Sequence, residues 1–243
     1  MGARRSATAL DLQSYLHLTR GVTVSIAYLL PLLAAYEVGV VLIGSDLRNS
    51  AELTLKQFAG LLGAYAVWVQ RAVLAVVVVV AVRLAKRDVP ALRIYPVFLL
   101  EALLFALLLG PLVSLLVGGV ALQAGSAPSR SERVLLSLGA GAYEELVFRF
   151  LLLAGLFAFL HRGVGVARAA AFAVALVLSA LLFSAYHHVG PAGEPFSAGL
   201  FLFRAAAGAV LGLVFAWRGL ALCAYLHAFY DVFCDLHSSG AAS

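Results

Sequence analysis

Charge is scarce in this chain of 243 residues. It has 17 Lys and Arg and 12 Asp and Glu, so charged residues make up 12%, about half the share in an average soluble domain. Hydrophobic residues make up 63%, and the mean hydropathy is +1.01. Too few polar side chains are present to cover a soluble globule, which excludes a soluble enzyme, a nucleic-acid-binding domain and a disordered tail. Cysteine is rarer still. Cys223 and Cys234 show no CxxC or finger spacing, which excludes a disulfide framework and a zinc finger; both read as small apolar core residues. No H-E-x-x-H and no Ser–Lys dyad is present. The first 20 residues include Arg4 and Arg5 but no apolar run, so a cleaved leader is not expected there. They read as a cytoplasmic or interfacial segment.

What is abundant is long apolar sequence. Segments can be drawn at about Gly21 to Gly44, Phe58 to Ala85, Tyr95 to Leu122, Ser131 to Leu160, Val166 to Tyr186, Ala198 to Trp217 and Leu220 to Phe233. A bilayer span needs about 20 such residues, and in lipid a backbone satisfies itself only as helices or a closed barrel. The runs are continuous in Leu, Ala and Val, without the ten-residue alternation of a barrel strand. The expected fold is therefore all-α: a polytopic transmembrane bundle of about seven (six to eight) helices, forming a single membrane domain over residues 1–243. Its last helix is short, with its far end beside other helices or in the interface. Ser129 and Glu132 have the capping-box spacing for the start of the fourth span. Gly208 and Gly212 form a GxxxG pair suited to close helix contact.

With the N-terminus inside, the inner segments hold Arg4, Arg5, Arg20, Arg83, Lys86, Arg87, Arg93, Arg162, Arg168 and Arg218, and the outer loops hold Arg48, Lys56, Arg130 and Arg133. That asymmetry favours a cytoplasmic N-terminus. Ionisable residues inside spans are costly and usually have a task. They are Glu37, Arg71, Glu101, Glu144, Glu145, Arg149, Arg204 and Asp231.

Three short patterns stand out. The fourth span carries Glu144-Glu145-Leu-Val-Phe-Arg149. Arg149 is placed to face Glu145 at i+4, leaving Glu144 free, so two neighbouring acids gain different environments, as acid–base chemistry requires. The fifth span ends in Phe183-Ser-Ala-Tyr-His187-His188, with Phe183 and His187 on one face. The last span holds His227-Ala-Phe-Tyr-Asp231, where Asp231 can fix the tautomer of His227. Glu144, His187, His227 and Arg204 fall toward the same side of the bilayer, the outer side by the charge count. Each pattern alone also fits a structural charge cluster or an interfacial polar pair.

In this order and on separate spans, the patterns EExxxR, FxxxH and HxxxD resemble the CAAX prenyl-protein endopeptidases and their bacterial relatives, the CPBP intramembrane proteases. The resemblance covers the motif-bearing core, residues 130–236. It implies an intramembrane endopeptidase acting on a membrane-anchored or lipid-proximal protein or peptide, in a bacterial inner (plasma) membrane. It implies that Glu144 activates water with His187, that His227 and residue 231 stabilise the oxyanion, and that Arg149 and Glu145 hold the first acid. The prenyl-protein enzymes have Asn at the last position. Asp231 cannot donate a hydrogen bond unless protonated, so its expected role is to orient His227. Phe183, Arg204 and His188 are supporting candidates. The expected chemistry is metal-free; the alternative places Zn²⁺ on Glu144, His187 and His227. Neither cysteine is given a role. Two other classes of function fit the composition: a noncatalytic scaffold or immunity protein of the same fold, and a proton-coupled transporter using Glu37, Arg71, Glu101 and Glu144. No internal repeat of the transporter kind is visible.

Overall fold

The computed structural model describes residues 11–44, 48–65, 90–118, 129–189 and 193–238, with single helical positions at 68, 71, 72, 79 and 83. The expected second span, Phe58 to Ala85, lies mostly outside the described residues. The described residues are all-helical. In chain order the helices are α1 (Leu12–Thr19), α2 (Val22–Ile43), α3 (Ser50–Leu61), α4 (Pro90–Val117), α5 (Arg130–Gly163), α6 (Arg168–Tyr186), α7 (Ala198–Arg218) and α8 (Leu220–Ser238). Five are long and apolar enough to cross a membrane: α2, Arg93–Val117 within α4, α5, α6 and α7. Their outward faces expose Val41, Leu104, Leu115 and Val177, an apolar surface that lipid tolerates and water does not. The chain is an integral membrane protein.

Helix α8 is the hub. Residues 220–228 are buried almost without interruption, and the helix packs on α2, α4, α5 and α7. A helix surrounded by protein on every side need not show a lipid-facing stripe. This explains why Cys223, His227 and Asp231 can sit there. It also corrects the expected end of the last span, since α8 continues past Phe233 to Ser238. Its inner half packs with Val24, Tyr28, Leu32, Phe98 and Ala142, and its other face with Leu109, Phe203 and Leu211.

Helix α5 begins at the expected capping box. The Ser129 hydroxyl accepts from Glu132 N–H at 3.3 Å, and Glu132 Oε2 accepts from Ser129 N–H at 2.8 Å. The helix then widens into π turns over Ala140–Glu144 and Leu146–Ala154, a feature frequent where helices carry function. Gly141 lies in the first of these. A Cβ there would stand 2.4 Å from the Ala224 carbonyl oxygen and 2.7 Å from the Ala228 nitrogen. Only glycine lets the α5 backbone approach α8 so closely, and that approach sets the distance between the acids of α5 and His227. Gly141→Ala therefore forces two backbones apart. We expect a loss of about 1–3 kcal/mol, read as a lowered Tm in detergent, because overpacking a tight contact displaces its neighbours.

The GxxxG pair works inside the chain. Gly208 sits against Phe183 and Ala180, and Gly212 against Leu176 and Leu153, seating α7 on α6 and α5.

Two charges expected within the apolar segments find local partners. Glu101 on α4 takes both arms of Arg218 at 2.6 Å and the Tyr15 hydroxyl at 2.5 Å, and Arg218 also donates to Thr19 Oγ1 at 3.0 Å. This cluster staples the amphipathic α1 to the bundle. Burial and the bond to Glu101 hold the Tyr15 hydroxyl well above its usual pKa, so it remains a donor. Glu37 accepts from the Tyr143 hydroxyl at 2.7 Å and from Arg48 at 3.4 Å. The sequence places residues 45–57 in a loop; instead α3 starts at Ser50, capped by Asn49, and already contains Phe58. The polar pattern Asn49-Ser-Ala-Glu52 lowers the hydropathy there and belongs to a capped helix.

Candidate active site

Four helices and the start of α3 meet around the α5 acids. Glu144, Glu145, Arg149 and His227 are all buried. Glu145 is fully enclosed and anchors the inner part of the cluster. Its Oε2 lies 3.1 Å from Arg149 Nε, and its Oε1 accepts from His227 Nδ1 at 2.7 Å. Arg149 stacks over the Phe183 ring at 4.3 Å and donates through Nη2 to the Gly208 carbonyl at 3.4 Å. Phe183 is the spacer of the site. It meets His187 edge-on at 4.9 Å and His227 at 5.8 Å between ring centres.

Glu144 is held differently. Its Oε1 accepts from Asn49 Nδ2 at 3.2 Å. Its Oε2 is buried without a hydrogen-bond partner among the described residues and faces His187 Nε2 at 3.8 Å. His187 is the C-cap of α6. Its Nδ1 donates to the Phe183 carbonyl at 2.9 Å, which leaves Nε2 directed at the acid. The His187 side chain is 24% exposed against 7% for Glu144, so the acid is reached from outside past this imidazole.

The geometry revises two expected roles. Glu145 and Arg149 do not hold Glu144; Glu145 is spent on Arg149 and His227, and Asn49 contacts the first acid. The physical reason is the close approach at Gly141, which brings Glu145 across to α8. Asp231 is likewise not the nearer partner of His227. It faces Nε2 at 3.4 Å, while Glu145 binds Nδ1 at 2.7 Å, so the tautomer is fixed chiefly from α5. Two supporting candidates lie at the rim. Arg204 binds both carboxylate oxygens of Glu194 at 2.8 Å. His188 Nδ1 donates to the Glu194 carbonyl at 3.1 Å, and its ring packs on Phe196 and Phe201.

Two contributors went unseen in the sequence. Cys223, read there as inert core, donates its thiol to Glu145 Oε2 at 2.9 Å. Asn49 is separated from Glu144 by 95 positions. The capping signal at Asn49 announces a helix start but not what lies beside it.

The zinc alternative fits these side chains poorly. No group of three metal-binding side chains converges among the described residues, and both ring nitrogens of His227 already point at carboxylates. What the arrangement offers is one carboxylate oxygen facing one imidazole, beside a second imidazole fixed by a buried ion pair. Residues 128–233 match the family model described as Rce1-like, type II CAAX prenyl endopeptidase, and every motif residue named above falls within that range. No curated protein and no solved structure matches the chain.

Proposed function

We propose that this membrane protein, whose residues 128–233 match the Rce1-like family model, is a CAAX-type intramembrane endopeptidase that hydrolyses a peptide bond in a membrane-anchored or lipid-proximal protein or peptide. The observation that carries the reading is the Glu144–His187 pair, with Oε2 and Nε2 3.8 Å apart. That separation is too long for a direct hydrogen bond. It suits a water bound to both, off the line joining them. Glu144 takes the proton of that water as it attacks the scissile carbonyl. The same proton then goes to the leaving amine, so the acid and base steps balance. His187, oriented by its bond to the Phe183 carbonyl, steers the water and steadies the carboxyl. His227, held at Nδ1–H by Glu145, presents Nε2 toward the site; in the doubly protonated ring Nε2–H donates to the tetrahedral oxyanion. Asp231 sets the direction of that nitrogen. The reaction we propose uses no metal: the Glu144 carboxylate alone takes up and returns the proton. The setting we propose is a bacterial inner membrane with a cytoplasmic N-terminus, as the Lys and Arg asymmetry favours.

The test uses protein purified in detergent and returned to vesicles. Two probes are offered: a farnesylated peptide ending in Cys–aliphatic–aliphatic–X, and a single-span fusion reporter. Cleavage of at least one is expected. His227→Ala should slow it by about 100-fold or more, the usual effect of losing an oxyanion donor, with the Tm compared in parallel. Undiminished cleavage by that variant removes the mechanism. A cross-linked partner with no cleaved product would instead favour the scaffold reading.

A further inference from the structure

The domain matched by the family begins at residue 128, yet one side chain bound to Glu144 comes from far upstream. The Asn49 amide has two ends with separate tasks. Oδ1 accepts from Ala51 N–H at 2.8 Å and caps α3, while Nδ2 donates to Glu144 Oε1 at 3.2 Å. Its own backbone N–H donates to the Tyr36 hydroxyl at 3.0 Å, and that hydroxyl donates to buried Glu52 at 2.5 Å. One turn further on, Thr54 Oγ1 lies 2.7 Å from the Tyr186 hydroxyl of α6. Helix α3 is thus pinned to α2 on one side and to α6 on the other. Asn49 reaches Glu144 from a fixed platform.

A carboxylate rotates easily about its last bond, where the torsional wells are broad and two-fold. Left unheld, the carboxylate plane can turn so that neither oxygen faces His187. With Oε1 held by Asn49, Oε2 faces it at 3.8 Å. We propose that Asn49 is a positioning residue that fixes the plane of the Glu144 carboxylate, holding one oxygen so that the other faces His187 as the base, and that the working site thereby extends beyond the matched residues to α3. The inference rests on the reading of Glu144 as the base.

The experiment separates the two ends of the amide. Asn49→Ser and Asn49→Asp both keep a good helix cap and lose the donor to Glu144; Asn49→Ala loses both. With the farnesylated peptide as probe, N49S should stay folded with only a small loss of Tm and lower kcat by about tenfold, leaving KM within about twofold, because the interaction matters in the transition state and not in binding. N49D should fall further, since it sets a second negative charge against Glu144. Wild-type kcat in N49S, with only N49A impaired, reduces Asn49 to a cap and overturns the proposal. A thermal double-mutant cycle of N49S with Glu144→Ala gives a readout independent of turnover. Non-additive Tm changes are expected, and additive ones overturn the proposal. If the wild type leaves both probes intact, or Glu144→Ala cleaves normally, it is the protease reading that fails, and the cycle still decides whether Asn49 and Glu144 act together.

Discussion

Glu144→Gln should lower peptide hydrolysis by about a thousandfold, within the range that general acid–base groups contribute, while the protein remains folded. Gln keeps the shape of the side chain and can still accept from Asn49 Nδ2, but it cannot take a proton from water. Removing a buried carboxylate with one oxygen unpartnered among the described residues should cost little stability, so the Tm is expected to stay level or rise slightly. Initial rates on either probe, with protein amounts matched by tag and Tm measured alongside, give both quantities. Residual cleavage near the wild-type rate would place the base elsewhere. Glu145 would be the next candidate, although its oxygens are already committed to Arg149, His227 and Cys223. The contrast between the two acids is therefore sharp. Glu144 has an oxygen to offer and Glu145 has none.

Much of this site is visible in the sequence, and the remainder is hidden for identifiable reasons. Long apolar runs announce α2, α4, α6 and α7 because lipid demands them. The spacing of Glu145 and Arg149 announces their pairing because residues four apart on one helix are neighbours. The Glu145–His227 bond joins residues 82 positions apart. It depends on how near two helices come, which Gly141 controls and no periodicity records. Asp231 shares a helical face with His227 and so looked like its natural partner, yet the shorter bond runs between helices. The same blindness covers Glu37 and Glu101. As isolated charges in apolar segments they invited a transport pathway; in the fold each closes on nearby donors, Tyr143 with Arg48 and Tyr15 with Arg218. Helix α8 misleads in the opposite direction. It is the least lipid-like span because protein surrounds it, so the central element of the bundle reads as its weakest.

Arg149→Met should be the most destabilising single change at the site. The guanidinium is 1% exposed and the carboxylate of Glu145 is 0% exposed. Removing one member of such a pair leaves a buried, uncompensated charge, at a cost of about 3–5 kcal/mol. Met preserves most of the volume, so the loss measures charge and stacking more than a cavity. Arg149→Lys should not rescue it fully, since an ammonium lacks the planar face that lies on Phe183 and the fork that reaches the Gly208 carbonyl. The decisive variant is the double one. Arg149→Met with Glu145→Gln removes both charges and should recover a large part of the stability, because an apolar or neutral replacement of a whole buried pair is often nearly neutral. Activity should not recover with it. A neutral amide at position 145 binds His227 Nδ1 less strongly than a carboxylate does, and charge-assisted hydrogen bonds are about twice as strong as neutral ones. Stability and turnover would then separate in one pair of variants, with Tm restored and kcat still low. Strictly additive Tm losses in the double variant would mean that Arg149 and Glu145 do not act as a pair, and the support proposed for His227 would go with them.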